Sequence, residues 1–143
     1  SHGKPYLRGN PFYFNLSHSG GLVVCAVEQM PVGVDVERVR HFSSMLLERV
    51  CTLREQEQVS ACENRDRAIT RLWTMKESYM KYTGLGFAQG ILATEFEGLE
   101  EKHPRLRSGE GCFTTLELPG AFLTLCTQSP TELRLERVAA KAF

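Results

Sequence analysis

The chain lacks most of the features that announce a function through composition. Neither sign of charge is in excess: 17 Lys and Arg balance 17 Asp and Glu, for a net charge of zero. No global field therefore favours nucleic acid or a membrane surface. No apolar run approaches the ~20 residues of a bilayer span, and no signal-peptide pattern is visible. The five cysteines (Cys25, Cys51, Cys62, Cys112, Cys126) are odd in number, widely spaced and without a C-x-x-C pair. That argues against a disulfide framework or zinc site and for reduced, buried thiols in a cytoplasmic protein. A G-x-S-x-G elbow is missing, so neither Ser17 nor Ser19 reads as a nucleophile. Low-complexity tracts and internal repeats are also absent.

At 143 residues, 42% of them hydrophobic and 24% charged, the chain is expected to form one domain with a real core. Residues 1–11 are punctuated by Gly3, Pro5, Gly9, Asn10 and Pro11 and read as loop. Phe12–Leu16 is strand-like and runs into Ser17-His18-Ser19-Gly20-Gly21. Valine-rich Leu22–Glu28 and Val32–Glu37, separated by Gln29-Met30-Pro31, are expected to pair as an antiparallel hairpin. A helical segment lies around Ser44–Val50. Thr52-Leu53-Arg54-Glu55 matches a capping box that opens a helix to about Cys62. The longest helical pattern is Asp66–Tyr82, stopped by Gly84 and Gly86. Gly90–Gly111 reads as loop, followed by strands at Cys112–Leu118, Ala121–Thr127 and Glu132–Val138. Clustered rather than alternating elements favour an α+β fold with an antiparallel sheet against a long helix.

The acids carry the chemistry. On a strand, Asp35 and Glu37 in Val32-Gly33-Val34-Asp35-Val36-Glu37 share one face, with Val34 and Val36 on the other. On a helix, Trp73, Glu77 and Lys81 recur every four residues along one side. If strand and helix pack, three carboxylates and a lysine converge. Acids sharing a face repel unless a cation lies between them. Three hard oxygen donors suit Mg²⁺ on a substrate's phosphates, with Lys81 placed to neutralise a phosphate leaving group. Against this stand the exposed face of an edge strand for Asp35 and Glu37, and an ordinary Glu77–Lys81 helix pair. Ser17-His18-Ser19-Gly20 at a strand end can hold phosphate oxygens, or can be a plain capped turn. Glu55 has a structural role as the third residue of the capping box. Arg38, Arg40, Arg49, Arg54, Arg65, Arg67 and Arg71 read as a solvated surface or a face for an acidic partner.

Four blocks together resemble a known family. Gly3-Lys4-Pro5, Phe14-Asn15-Leu16-Ser17-His18-Ser19, Val32–Glu37, and Leu72-Trp73-Thr74-Met75-Lys76-Glu77-Ser78 with Lys81 are similar, in order and spacing, to the 4'-phosphopantetheinyl transferases of the surfactin-activating type. The resemblance implies Mg²⁺-dependent transfer of the phosphopantetheine arm of coenzyme A to a serine of an acyl or peptidyl carrier protein. It implies that Asp35, Glu37 and Glu77 hold Mg²⁺, that Glu77 is also the base, and that Lys81 serves the departing phosphate. It places Lys4, Ser17 and His18 on the phosphates of coenzyme A. Glu55 falls where the family often has a further acid, although Arg49-Val50-Cys51-Thr52 stand where relatives carry aromatic residues. Members of this type consist of two similar lobes, and this chain matches one, residues 1–21 being a remnant of, or connection from, the other. A homo-oligomer or a separate amino-terminal lobe is therefore expected to complete the site, covering strand Leu22–Glu28 over Leu22, Val24 and Ala26. A non-catalytic lobe binding coenzyme A or a carrier protein, and a metal-dependent phosphohydrolase, are the competing functions.

Overall fold

The computed structural model describes residues 12–84 and 90–138. Lys4 and Gly86, like the expected loop at the front of the chain, lie outside them. Strand β1 (Tyr13–Ser19) leads through Gly20-Gly21 into β2 (Leu22–Glu28), and β3 (Val32–Arg38) follows. Three helices come next: α1 (Ser44–Val50), α2 (Leu53–Ala61) and α3 (Arg65–Thr83). The short strands β4 (Phe96–Glu97) and β5 (Arg105–Leu106) precede the hairpin of β6 (Cys112–Leu118) and β7 (Ala121–Thr127). The fold is α+β, with antiparallel sheet packed on the long helix α3.

Strand pairing departs from the expected hairpin. β2 pairs with β1, not β3, and β3 pairs antiparallel with β7 in a sheet of order β3-β7-β6. Turn chemistry explains the choice. Gly20 and Gly21 both have positive φ, 48° and 86°, which suits a two-residue hairpin turn whose twist matches its strands. Gln29-Met30-Pro31 has no glycine to do this. Glu132–Val138 is not a strand: both edges of β7 are taken by β3 and β6, and only Leu133 of this stretch packs on the core.

The β3-β7-β6 sheet has two unlike faces. On one, Val32, Val34 and Val36 join Leu123 and Leu125, with Leu22, Val24 and Ala26 of β2 packed against them. Those three β2 residues therefore face inward, which corrects their expected place on a surface for a partner. The outer face of the hairpin instead exposes Leu16, Val23 and Val27, at 52%, 75% and 62%. On the other sheet face, Gly33, Asp35 and Glu37 alternate with the valines and look toward α3. A Cβ on Gly33 would collide with the carbonyl oxygen of Ser78 and the backbone of Tyr82. Glycine is needed there so that strand and helix backbones can meet.

Helix α3 is fixed at both ends. Asn64 Oδ1 accepts from Arg67 N, and Gly84 closes the helix in the left-handed conformation, its N–H bonded to Met80 O. Leu72, Met75 and Tyr79 fill the larger core with Phe96 and Phe113. On the same helix Lys76 is wholly buried and pairs with Glu55 Oε1 at 2.7 Å. Its ammonium also donates to Ile91 O and Thr94 O. Glu55 completes the capping box by accepting from Thr52 N and takes Phe96 N on its other oxygen. The pair thus joins α2, α3 and the 90–96 segment, with each charge satisfied by several hydrogen bonds.

Two outcomes in urea unfolding are expected. Lys76→Met leaves a buried carboxylate without its cation and should destabilise by about 3–5 kcal/mol. Gly33→Ala forces α3 off the sheet and should destabilise by about 3 kcal/mol or more.

Candidate metal and phosphate site

The site lies at the seam where β1, β3 and α3 meet, and β1 is held there unusually. It makes no backbone ladder with β3. Instead Asn15 Oδ1 accepts from Val34 N at 2.9 Å, Ser17 Oγ from Val36 N at 3.0 Å, and Ser19 Oγ from Arg38 N at 3.1 Å. Every second side chain of β1 thereby satisfies every second amide on the free edge of β3. This arrangement fixes β1 in register and brings Ser17 beside Asp35.

Asp35 is buried, only 3% exposed. Its Oδ1 accepts from Ser17 Oγ at 3.0 Å and lies 3.4 Å from Lys81 Nζ. Its Oδ2 is buried and has no hydrogen-bond donor among the described residues. Burial foremost, then the charge of Glu37, pushes the carboxyl from its ordinary 3.8 up to about 8, against the opposing pull of Lys81. Protonated, Asp35 can donate to Glu37, which accounts for a carboxylate oxygen with no donor beside another acid. Glu77 is half-buried and also shifted upward, by burial first and then by Glu37, with Lys81 opposing. Lys81 reaches across the seam to donate to Leu16 O at 3.3 Å.

Asp35, Glu37, Glu77 and Lys81 thus share one electrostatic neighbourhood. Among the described residues, no three His, Cys, Asp or Glu side chains stand close enough together to cage a metal ion as they are. The acids nonetheless fit a divalent cation chemically. An orphaned buried carboxylate oxygen and mutual acid repulsion are both relieved by one. His18 points away from Ser17 on the strand and is exposed. The hydroxyl of Ser17, expected at a phosphate, is engaged with Asp35 and Val36 N in this structure. Trp73 packs against Phe42 on the core side, its ring 6.0 Å away. Glu55 is occupied by its cap and by Lys76.

A family model for the 4'-phosphopantetheinyl transferase superfamily matches residues 31–138. The chain belongs to that superfamily. It is 34% identical over 136 residues to 4'-phosphopantetheinyl transferase psf-1 of Bacillus pumilus, a match covering 90% of the chain and 58% of that protein. To 4'-phosphopantetheinyl transferase HetI of Nostoc it is 39% identical over 99 residues, 62% of the chain and 41% of the relative. To 4'-phosphopantetheinyl transferase AcpT of Salmonella typhi it is 31% identical over 137 residues, 92% and 66% respectively. The chain spans little more than half the length of curated relatives it matches, 58% of psf-1 and 53% of a 4'-phosphopantetheinyl transferase of Bacillus subtilis.

Sequence reasoning passed over Gly33 and Asn15, and read Ser19 only as part of a turn able to hold phosphate oxygens, whereas its hydroxyl accepts from Arg38 N. Each had a signal: a glycine inside a valine-rich strand marks close backbone approach, and polar residues alternating along β1 mark a face that must hydrogen-bond. The expected burial of the thiols holds for Cys51 and Cys126; Cys62 and Cys112 are half-buried and Cys25 is exposed. Burial pushes the Cys51 thiol up to about 12, so it is no nucleophile.

The raised Asp35 sets a sign for pH dependence. Between about pH 4 and about pH 8 the folded, metal-free chain holds a proton on Asp35 that the unfolded chain releases. Stability must therefore fall as pH rises through that window. Asp35→Asn should flatten the slope and make the metal-free protein more stable at pH 8, by about 1.4 kcal/mol for each tenfold of excess proton affinity that the substitution removes. Urea unfolding from pH 5 to pH 8 in chelator measures it.

Proposed function

We propose that this chain is the catalytic lobe of a 4'-phosphopantetheinyl transferase. It moves the phosphopantetheine arm of coenzyme A to a serine of an acyl or peptidyl carrier protein and releases adenosine 3',5'-bisphosphate. The observation that carries this is the meeting of Asp35, Glu37, Glu77 and Lys81 across the β3–α3 contact, in a chain of that superfamily. Asp35, Glu37 and Glu77 would hold Mg²⁺, which when bound would offset the diphosphate charge. No helix among the described residues is long and apolar enough to cross a membrane, and the cytoplasm, where coenzyme A and carrier proteins meet, is the proposed compartment.

The chain's own groups divide the remaining work. Glu77, whose proton affinity is raised by burial and by Glu37, takes the proton of the carrier serine, directly or through a water. The serine oxygen forms its bond to the phosphorus bearing the pantetheine arm while the diphosphate bridge breaks. Lys81 neutralises the charge that grows on the departing phosphate, or protonates it. His18 on the exposed face of β1, with Lys4, grips the phosphates of coenzyme A, and Ser17 stands beside them at the seam.

A lobe of this size leaves one flank of a long substrate open. The outer face of the β1–β2 hairpin, with Leu16, Val23 and Val27 exposed, is the surface proposed to be covered by another copy or by a separate amino-terminal lobe. Uncovered, it should drive self-association and leave coenzyme A binding weak. Light scattering combined with coenzyme A titration tests this, and a lasting monomer with tight binding would oppose it.

Intact mass of apo carrier proteins incubated with coenzyme A and Mg²⁺ tests the activity itself. Glu77→Ala and Asp35→Ala should abolish the mass gain while the chain stays folded. Lys81→Ala should lower kcat by roughly 100-fold or more, and His18→Ala should mainly raise KM for coenzyme A. Coenzyme A binding without transfer would instead identify a non-catalytic lobe, and cleavage without a carrier a phosphohydrolase.

A further inference from the structure

We infer that Ser17 is a positioning residue for the metal-binding carboxylate of Asp35, an inference that rests on the proposed Mg²⁺ site. The geometry leaves its hydroxyl one arrangement. Val36 N can only donate, so Ser17 Oγ accepts from it at 3.0 Å. The single hydroxyl proton is then directed to Asp35 Oδ1, also at 3.0 Å. Both contacts are buried, Ser17 being 4% exposed, so water does not compete for them.

The consequence is a division between the two carboxylate oxygens. Oδ1 is claimed by Ser17 and, more distantly, by Lys81 at 3.4 Å. Oδ2 has no donor among the described residues and is the oxygen available to a cation. Because Ser17 is bonded to the amide of Val36, the residue next to Asp35, the hydroxyl and the acid are anchored to the same stretch of strand. The carboxylate plane is thereby fixed before any ion arrives, as outer-shell partners of metal ligands commonly do.

Asn15 and Ser19 make the same bond to β3 amides on either side. Ser17 differs from them in carrying its bond onward to an acid. Ser19 is thus an internal control, since Ser19→Ala removes one rung of the β1–β3 seam and leaves the Ser17–Asp35 bond in place. A merely structural role for Ser17 predicts equal consequences for the two substitutions in cation binding.

The test is Mn²⁺ binding followed by electron paramagnetic resonance on the full chain, with and without coenzyme A, with urea unfolding in parallel. Ser17→Ala should weaken Mn²⁺ binding by roughly 10–100-fold. Ser19→Ala should leave Mn²⁺ affinity within about twofold of the parent, whatever it does to stability. Equal affinity in Ser17→Ala and Ser19→Ala, with the parent chain binding Mn²⁺, overturns the role of Ser17 alone. If the parent binds no Mn²⁺ in either condition, the metal site is overturned and the role of Ser17 with it.

Discussion

The contact on which the molecule depends is the backbone approach of β3 to α3 at Gly33. A strand normally keeps its distance from a helix through the side chains between them. With no side chain at Gly33, the strand can press against Ser78 and Tyr82. Asp35 and Glu37 follow Gly33 on the same strand face, and Glu77 and Lys81 lie on α3 within a turn of Ser78. One missing Cβ therefore sets the separation between acids on the strand and acid and lysine on the helix.

Two further devices hold that contact in place. On the far side of α3, the buried Glu55–Lys76 pair ties the helix to α2 and to the segment leading into β4. On the near side, β1 is attached to β3 through side chains instead of a backbone ladder. The second arrangement opens room at the edge of β3 while leaving its amides satisfied. Lys81 and Ser17 both use that room to reach Asp35. Burial and the charge of Glu37 push the Asp35 carboxyl up to about 8, a strain that a cation bound under the proposed function would relieve.

The acids, the long helix and the capping box were legible from the sequence because each depends on local periodicity. Asp35 and Glu37 alternate with valine, Glu77 and Lys81 sit one turn apart, and Thr52 and Glu55 have the spacing of a cap. Strand partners were less legible, since pairing depends on residues far apart in the chain. The valine-rich β2 and β3 look like a hairpin, yet the Gly20-Gly21 turn decides otherwise and β3 finds β7. The tail Glu132–Val138 alternates as a strand does, but no edge of β7 is free to receive it. The inward facing of Leu22, Val24 and Ala26 was hidden for the same reason: alternation says that two faces differ, not which one meets the core. Ser17 illustrates the limit at the site, because a hydroxyl in a phosphate-like motif does not disclose that its proton goes to Asp35.

The acids facing one another across β3 and α3 are proposed to form a cation site in which Asp35 holds a proton until the ion binds. Calorimetric titration of the chain with Mg²⁺ at pH 7, repeated in buffers of different ionisation enthalpy, counts the protons released on binding. Release of about one proton per bound ion is expected, diminishing as pH rises beyond about 8, with loss of binding in Glu77→Gln. Mg²⁺ uptake without proton release, or uptake unchanged in Glu77→Gln, would contradict it.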